Sequence, residues 1–138
     1  MIDALIIETG NGGDLLQQGN DMAIVEGFEN MPYLAMFSGD GDWWGNNLLF
    51  SNNDSSVFFS SQTERVMREV TLNSAGRIKI ETAIKNDLAF LKSNISGTTV
   101  DVTTSVVNPD RLDIEITING NTFYMQWNPS TAFLNYQV

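Results

Sequence analysis

The spacing of apolar residues changes period part-way along the chain. Val100, Val102 and Val106 alternate with Asp101, Thr103 and Ser105, and Leu112, Ile114, Ile116 and Ile118 alternate with Asp113, Glu115, Thr117 and Asn119. Successive side chains of a strand point to opposite faces, so this alternation predicts two strands that each bury one face. Asn119-Gly120 is the residue pair that a tight hairpin favours. Its return strand is Thr122 to Trp127, with Phe123, Met125 and Trp127 on one side. Upstream the period is that of a helix. Ile80, Ile84, Leu88 and Leu91 form one stripe, while Arg77, Glu81, Lys85 and Asp87 fall elsewhere on the surface. This longest helix starts after Asn73-Ser74 and ends near Lys92, and a three-stranded antiparallel sheet packed on it is the expected core.

The N-terminal part has shorter signals. An apolar run from Ala4 to Ile7, Gly/Asn/Asp turns at Gly10 to Asp14 and Gly19 to Asp21, Leu15-Leu16, and a segment from Met22 to Val25 predict a small β-meander. Phe28, Met31, Leu34, Ala35 and Phe37 share a stripe with Pro32 in the first turn, where a missing N–H costs nothing, and so predict a short helix. Ser61-Gln62-Thr63-Glu64 has capping-box spacing and predicts a helix to about Leu72. Between these lie a Gly/Asp loop carrying Trp43-Trp44 and a polar stretch from Asn46 to Ser60. Its apolar triplets, Leu48-Leu49-Phe50 and Val57-Phe58-Phe59, are too short to predict helices. The expected fold class is therefore α+β: an N-terminal β-meander, two to three helices, and a C-terminal three-stranded antiparallel sheet packed on the longest helix. Residues 1–129 make a single domain. The tail, 130–138, reads equally as a last edge strand or as a partner-binding arm, since Phe133, Leu134 and Tyr136 left bare would cost solubility.

Composition narrows the chemistry. A chain of 138 residues suits one core. It has no histidine and no cysteine, which removes the commonest general base, the commonest metal ligand and any thiolate nucleophile. Seventeen acidic against seven basic residues give a net charge of −10, which repels phosphate backbones and anionic head groups, so neither nucleic acid nor membrane is an expected partner. No apolar run approaches the ~20 residues of a membrane span. The first residues also lack the basic flank and cleavage site of a secretory signal, which favours a protein made in a cytoplasm.

Particular motifs add little chemistry. Asp40-Gly41-Asp42 begins like a calcium loop, but Trp44 stands where the third ligand belongs. The Gly/Asn/Asp turns near the N-terminus lack the spacing of calcium-binding β-helix repeats. A glycosidase needs two carboxylates facing one bond. Glu26 with Glu29, Glu64 with Glu69, and Asp113 with Glu115 are the nearest pairs in sequence, and they read as solvated charges. No catalytic, cofactor-binding or metal-binding residue is assigned, and an enzyme is not expected. Trp43-Trp44 is the least ordinary feature, because two adjacent indoles in a loop cannot enter the same pocket. One covers a neighbour or offers a face to a sugar or a protein. Trp43, Trp44, Phe133, Leu134 and Tyr136 are the candidate protein-interface residues.

The order of these elements resembles the Mu-type baseplate proteins of contractile-tailed phages, relatives of the small T-even wedge subunit that seeds the tail sheath. Three segments carry the resemblance: Glu26 through Phe37, Asp42-Trp43-Trp44-Gly45-Asn46, and Arg77 to Lys92 followed by Asn108 through Ile116. It implies a structural subunit of the baseplate wedge. Its partners would be larger wedge proteins and the tail sheath protein, with hub or tube proteins as further neighbours, in a six-fold arrangement. Its place would be the virion tail baseplate, after assembly in the host cytoplasm. Many relatives carry Glu-Pro-Arg between the long helix and the sheet. Here the junction reads Leu91-Lys92-Ser93-Asn94-Ile95, so that docking contact does not carry over. Family sheath contacts involve strand exchange, which an open sheet edge permits through main-chain hydrogen bonds. Thr98 to Val107 or Thr122 to Trp127 is the expected edge. The alternative function is a carbohydrate-binding tail accessory module.

Overall fold

The computed structural model describes residues 2–8, 13–26, 29–39, 41, 44–49, 60–131 and 133–137. Phe28, Asp40, Asp42, Trp43, the turn at 10–12 and the triplet at 57–59 lie outside the described residues.

The chain opens with six short strands: β1 (Ile2–Ala4), β2 (Ile6–Glu8), β3 (Gly13–Leu15), β4 (Gln17–Gln18), β5 (Asp21–Met22) and β6 (Ile24–Glu26). They pair antiparallel as β1 with β6, β2 with β3 and β4 with β5. The strands that meet end to end are separated by single residues, Leu5, Leu16 and Ala23, and these three close a ring. Leu5 N donates to Ala23 O at 2.9 Å, Ala23 N to Leu16 O at 2.8 Å, and Leu16 N to Leu5 O at 2.9 Å. The expected meander is thus a three-way junction of ribbons. Asn30, buried at the entry to the first helix, locks it: its Oδ1 accepts from Ile6 N at 3.0 Å and its Nδ2 donates to Ala4 O at 2.6 Å.

Five helices follow among the described residues: α1 (Met31–Phe37), α2 (Asn46–Leu49), α3 (Thr63–Glu69), α4 (Ser74–Asp87) and α5 (Ala89–Asn94). Pro32 sits in the first turn of α1, and Met36 is fully buried. The single turn α2 takes in Leu48 and Leu49, which sequence length alone had counted against a helix. Its first residue, Asn46, is fully buried with Nδ2 donating to Gly41 O at 3.3 Å. The long predicted helix breaks at Leu88, whose N–H reaches back to Ile84 O and Asn86 O. Leu88 and Leu91 both lie fully buried in the core.

The capping box does not form. Gln62 stands at the N-cap of α3 without a side-chain cap. The Asp87 carboxylate, arriving from the end of α4, accepts from Gln62 N and Thr63 N at 2.9 Å and from Thr63 Oγ1 at 2.6 Å. A charged acceptor that takes several donors outcompetes a neutral local hydroxyl at a helix start, where the dipole also favours negative charge. The start of α4 is capped locally, by Asn73 Oδ1 accepting from Gly76 N at 2.9 Å. Gly76 is required there, because a Cβ would lie 2.0 Å from Thr71 O.

The C-terminal sheet has four strands, β7 (Val100–Asn108), β8 (Arg111–Ile118), β9 (Asn121–Asn128) and β10 (Phe133–Gln137), in the order β10-β9-β8-β7. Every neighbouring pair is antiparallel. Asn119 and Gly120 turn the β8–β9 hairpin with φ of 51° and 86°, the left-handed pair that matches the strands' own twist. Register places Leu112, Ile114 and Ile116 opposite Trp127, Met125 and Phe123. These meet Ile80, Ile84, Leu88 and Leu91 in one core, joined by Met36 and Met67. Each such side chain contributes about 1.5–3 kcal/mol by leaving water. The expected α+β architecture, with its sheet on the longest helix, is the one observed. Segment 133–137 adds a fourth strand to the three that period two reveals.

Candidate docking surface

The sheet has two outer strands with different surroundings. β10 runs beside β2, so the N-terminal ribbons flank that side. β9 lies between β8 and β10, so Thr122 to Trp127 is not an edge. The period-two signal ended at Trp127, and of the two readings of the tail, a last edge strand or a partner-binding arm, the pairing of 133–137 with β9 matches the strand. β7 is the open edge: among the described residues no strand pairs with its far side.

The hydrogen-bond phase of β7 follows from its first contact. Asn119 N donates to Thr99 O at 3.1 Å, which directs the main-chain groups of odd-numbered residues toward β8. In an antiparallel ladder the groups alternate in direction, so Val100, Val102 and Thr104 present theirs to the open side. Thr104 O already accepts there from Arg77 Nη1 at 3.4 Å. Unpaired strand groups form a template for a further strand.

A charged chain on α4 borders this edge. Glu81 Oε2 accepts from Arg77 Nη1 at 2.9 Å and from Thr104 Oγ1 at 2.7 Å, and Glu81 Oε1 accepts from Lys85 Nζ at 2.6 Å. The hydrogen bond from Lys85, then that from Thr104, hold the Glu81 carboxyl below the usual carboxylate range, against the opposing effect of burial. Asp87 goes the other way. Burial pushes its carboxyl up, and the bonds from Thr63 and Gln62 only partly offset this. Past the Glu81 network, a groove of about 530 Å³ runs between the helices and β7, lined by Lys85, Leu88, Ala89, Lys92 and residues 100–103. The i, i+4 spacing of Arg77, Glu81 and Lys85 was visible in the sequence, but their meeting with Thr104 was not.

Of the sequence-derived interface residues, Trp43 lies outside the described residues, Trp44 lies in the turn before α2, and the other three belong to the last strand. Trp44 is 71% exposed on the turn before α2, beside Leu48 at 73% and Leu49 at 60%, and these make a small apolar projection. Leu48 N and Leu49 N both bond to Gly45 O, at 3.1 and 2.9 Å, which fixes the turn. Phe133, Leu134 and Tyr136 belong to β10, in register with Asn128, Trp127 and Met125. Among the described residues no group of three or more acidic side chains is placed to hold a metal ion, and no helix is long and apolar enough to cross a membrane. Comparison with protein families, curated proteins and solved structures finds no match.

Proposed function

We propose that this chain is a non-catalytic structural subunit bound by other proteins, and that its assembly is the baseplate wedge of a contractile phage tail. The open β7 edge carries the first part. A sheet that ends in outward-facing main-chain groups beside a groove is suited to receiving an extended segment from a partner. The order of elements, which resembles the Mu-type baseplate family, carries the second part. In this reading the partners are larger wedge proteins and the tail sheath protein. The Trp44, Leu48 and Leu49 projection offers a second contact, since exposed aromatic and aliphatic groups anchor interfaces. No reaction is needed for such a role.

Deletion from the particle tests the assembly. Particles lacking the chain are expected to show tube without attached sheath by electron microscopy, and normal sheathed tails in its absence would sink the reading. The exposure of Trp44 also favours a second reading, a carbohydrate-binding tail accessory, because an exposed indole can stack on a sugar ring. Trp44→Ala separates the two: loss of glycan binding with normal tails supports the accessory, and defective tails support the wedge subunit.

A further inference from the structure

We propose that the outer face of the three-way junction docks a partner protein whose contact surface carries apolar side chains flanked by lysine or arginine. The inference rests on the reading that the chain is bound by other proteins, and adds a surface and its chemistry. Successive side chains of a strand point to opposite faces. The residues on either side of Leu5, Leu16 and Ala23 therefore share the face from which these three turn away. Register joins those flanking residues into a closed circle: Ile6 stands opposite Leu15, Gln17 opposite Met22, and Ile24 opposite Ala4. All but Gln17 are apolar. Ala23 is only 7% exposed on the inner side, whereas Leu15, Met22 and Ile24 are 48%, 51% and 65% exposed on the outer one. Single apolar side chains scattered on a surface need no explanation, but a circle of them around one junction marks a contact.

Charge selects the partner. Residues 1–30 hold Asp3, Glu8, Asp14, Asp21, Glu26 and Glu29 and no basic residue, and the first basic residue of the chain is Arg65. Asp14 and Asp21 are exposed and adjoin the circle directly. The Oδ1 of Asp14 accepts from Leu15 N at 2.8 Å and that of Asp21 from Met22 N at 2.9 Å, so each carboxylate is held beside an apolar member. Neither makes an ion pair among the described residues. A surface of opposite charge gains at such a rim, and an acidic one is repelled. Two copies of this chain, each with a net charge of −10, repel one another, so the partner is a different protein.

The full-length protein, with its methyl groups isotope-labelled, is titrated with an amphipathic helical peptide whose Leu stripe is flanked by Lys. Two controls carry Glu in place of Lys, or Ser in place of Leu. The Leu/Lys peptide is expected to shift the Leu15, Met22 and Ile24 methyl signals and to bind roughly tenfold tighter than either control, with affinity falling as salt rises. Met22→Thr combined with Ile24→Thr should cost about tenfold in affinity. Both side chains are exposed, and unchanged amide protection at Ile114 and Ile116 checks that the core survives. Asp14→Asn combined with Asp21→Asn keeps an oxygen acceptor for each N–H and should cost about threefold, an effect that disappears in high salt. Equal binding of the Lys and Glu peptides overturns the charge assignment. Absence of binding, binding that leaves the three methyl signals unmoved, or an unaffected double Thr variant overturns the surface. Shifts of the same methyl signals that appear without peptide as protein concentration rises overturn the inference in favour of a second copy. Each of these failures leaves the sheath-attachment test of the subunit role standing, and normal sheathed tails without the chain would sink that role while leaving the peptide result intact.

Discussion

The helix–sheet half and the N-terminal ribbons are held by different forces. From Thr63 onward, apolar side chains from α3, α4, α5 and three strands fill one core in which Ile80, Ile84, Leu88, Leu91, Leu112, Ile116 and Ile118 have no exposure at all. Among the described residues the ribbons show no such core. Ala23 is buried, but Leu15, Met22 and Ile24 are largely exposed, and the junction rests on three main-chain bonds and the Asn30 amide. Side-chain burial scales with area and makes a cooperative unit. A hydrogen-bonded ring exchanges water contacts for protein contacts, at a net of only about 0.5–1.5 kcal/mol per bond. The first half should therefore set global stability, and the second should open locally.

Five measurements test this contrast. The largest effect is expected from Ile116→Ala, which opens a cavity between α4 and the sheet and should cost about 3–4 kcal/mol in denaturant unfolding. A loss below about 1 kcal/mol would remove the single-core picture. Gly76→Ala drives a methyl into Thr71 O and should cost about 3 kcal/mol, with the α3–α4 connection shifted in its amide spectrum. Asp87→Ala removes the acceptor from three donors at the start of α3 and is expected to cost about 2 kcal/mol, and Asp87→Asn less.

Asn30→Ala should cost about 1–2 kcal/mol locally. Hydrogen exchange at Ile6 and Leu16 should quicken while Ile114 and Ile116 keep their protection. Quickened exchange in the sheet would mean that the two halves unfold as one. The smallest effect concerns pH. The Glu81 carboxyl is held low in the fold, so its stabilising contribution is present above the ordinary carboxylate range and is lost as pH falls through the folded value. Glu81→Gln should flatten that acid limb of the stability profile and leave the neutral range only slightly changed. Asp87, whose carboxyl is raised, has the opposite sign: its contribution falls as pH rises through the folded value. An unchanged acid limb in Glu81→Gln would show that the α4–β7 network does not form in solution.

The same contrast explains what was legible beforehand. The strands of the sheet and the stripe of α4 bury one face each, and that leaves a periodic trace in residue order. Asn119-Gly120 marked its hairpin because two left-handed residues in succession need those side chains. Around the ribbons, the junction residues Leu5, Leu16 and Ala23 bond through the backbone and carry no marker of that role. Ser61 to Glu64 carried a marker that misled, since Asp87 supplied the acceptor from 24 residues away. The docking surface was legible in part. The strand beginning near Thr98 was one of two expected edges, and only pairing with β10 removed the other. The groove beside Lys92 had no signal, because helix and strand meet there across the fold.

Local order determined the fold class, the helix stripe, the hairpin and the scarcity of reactive side chains, since each depends on residue type and near-neighbour spacing. Tertiary structure decided which strand is left open, which carboxylate caps α3, where the long helix breaks and which charges border β7. Those outcomes depend on the approach of segments distant in sequence, where the best available partner wins over the nearest one.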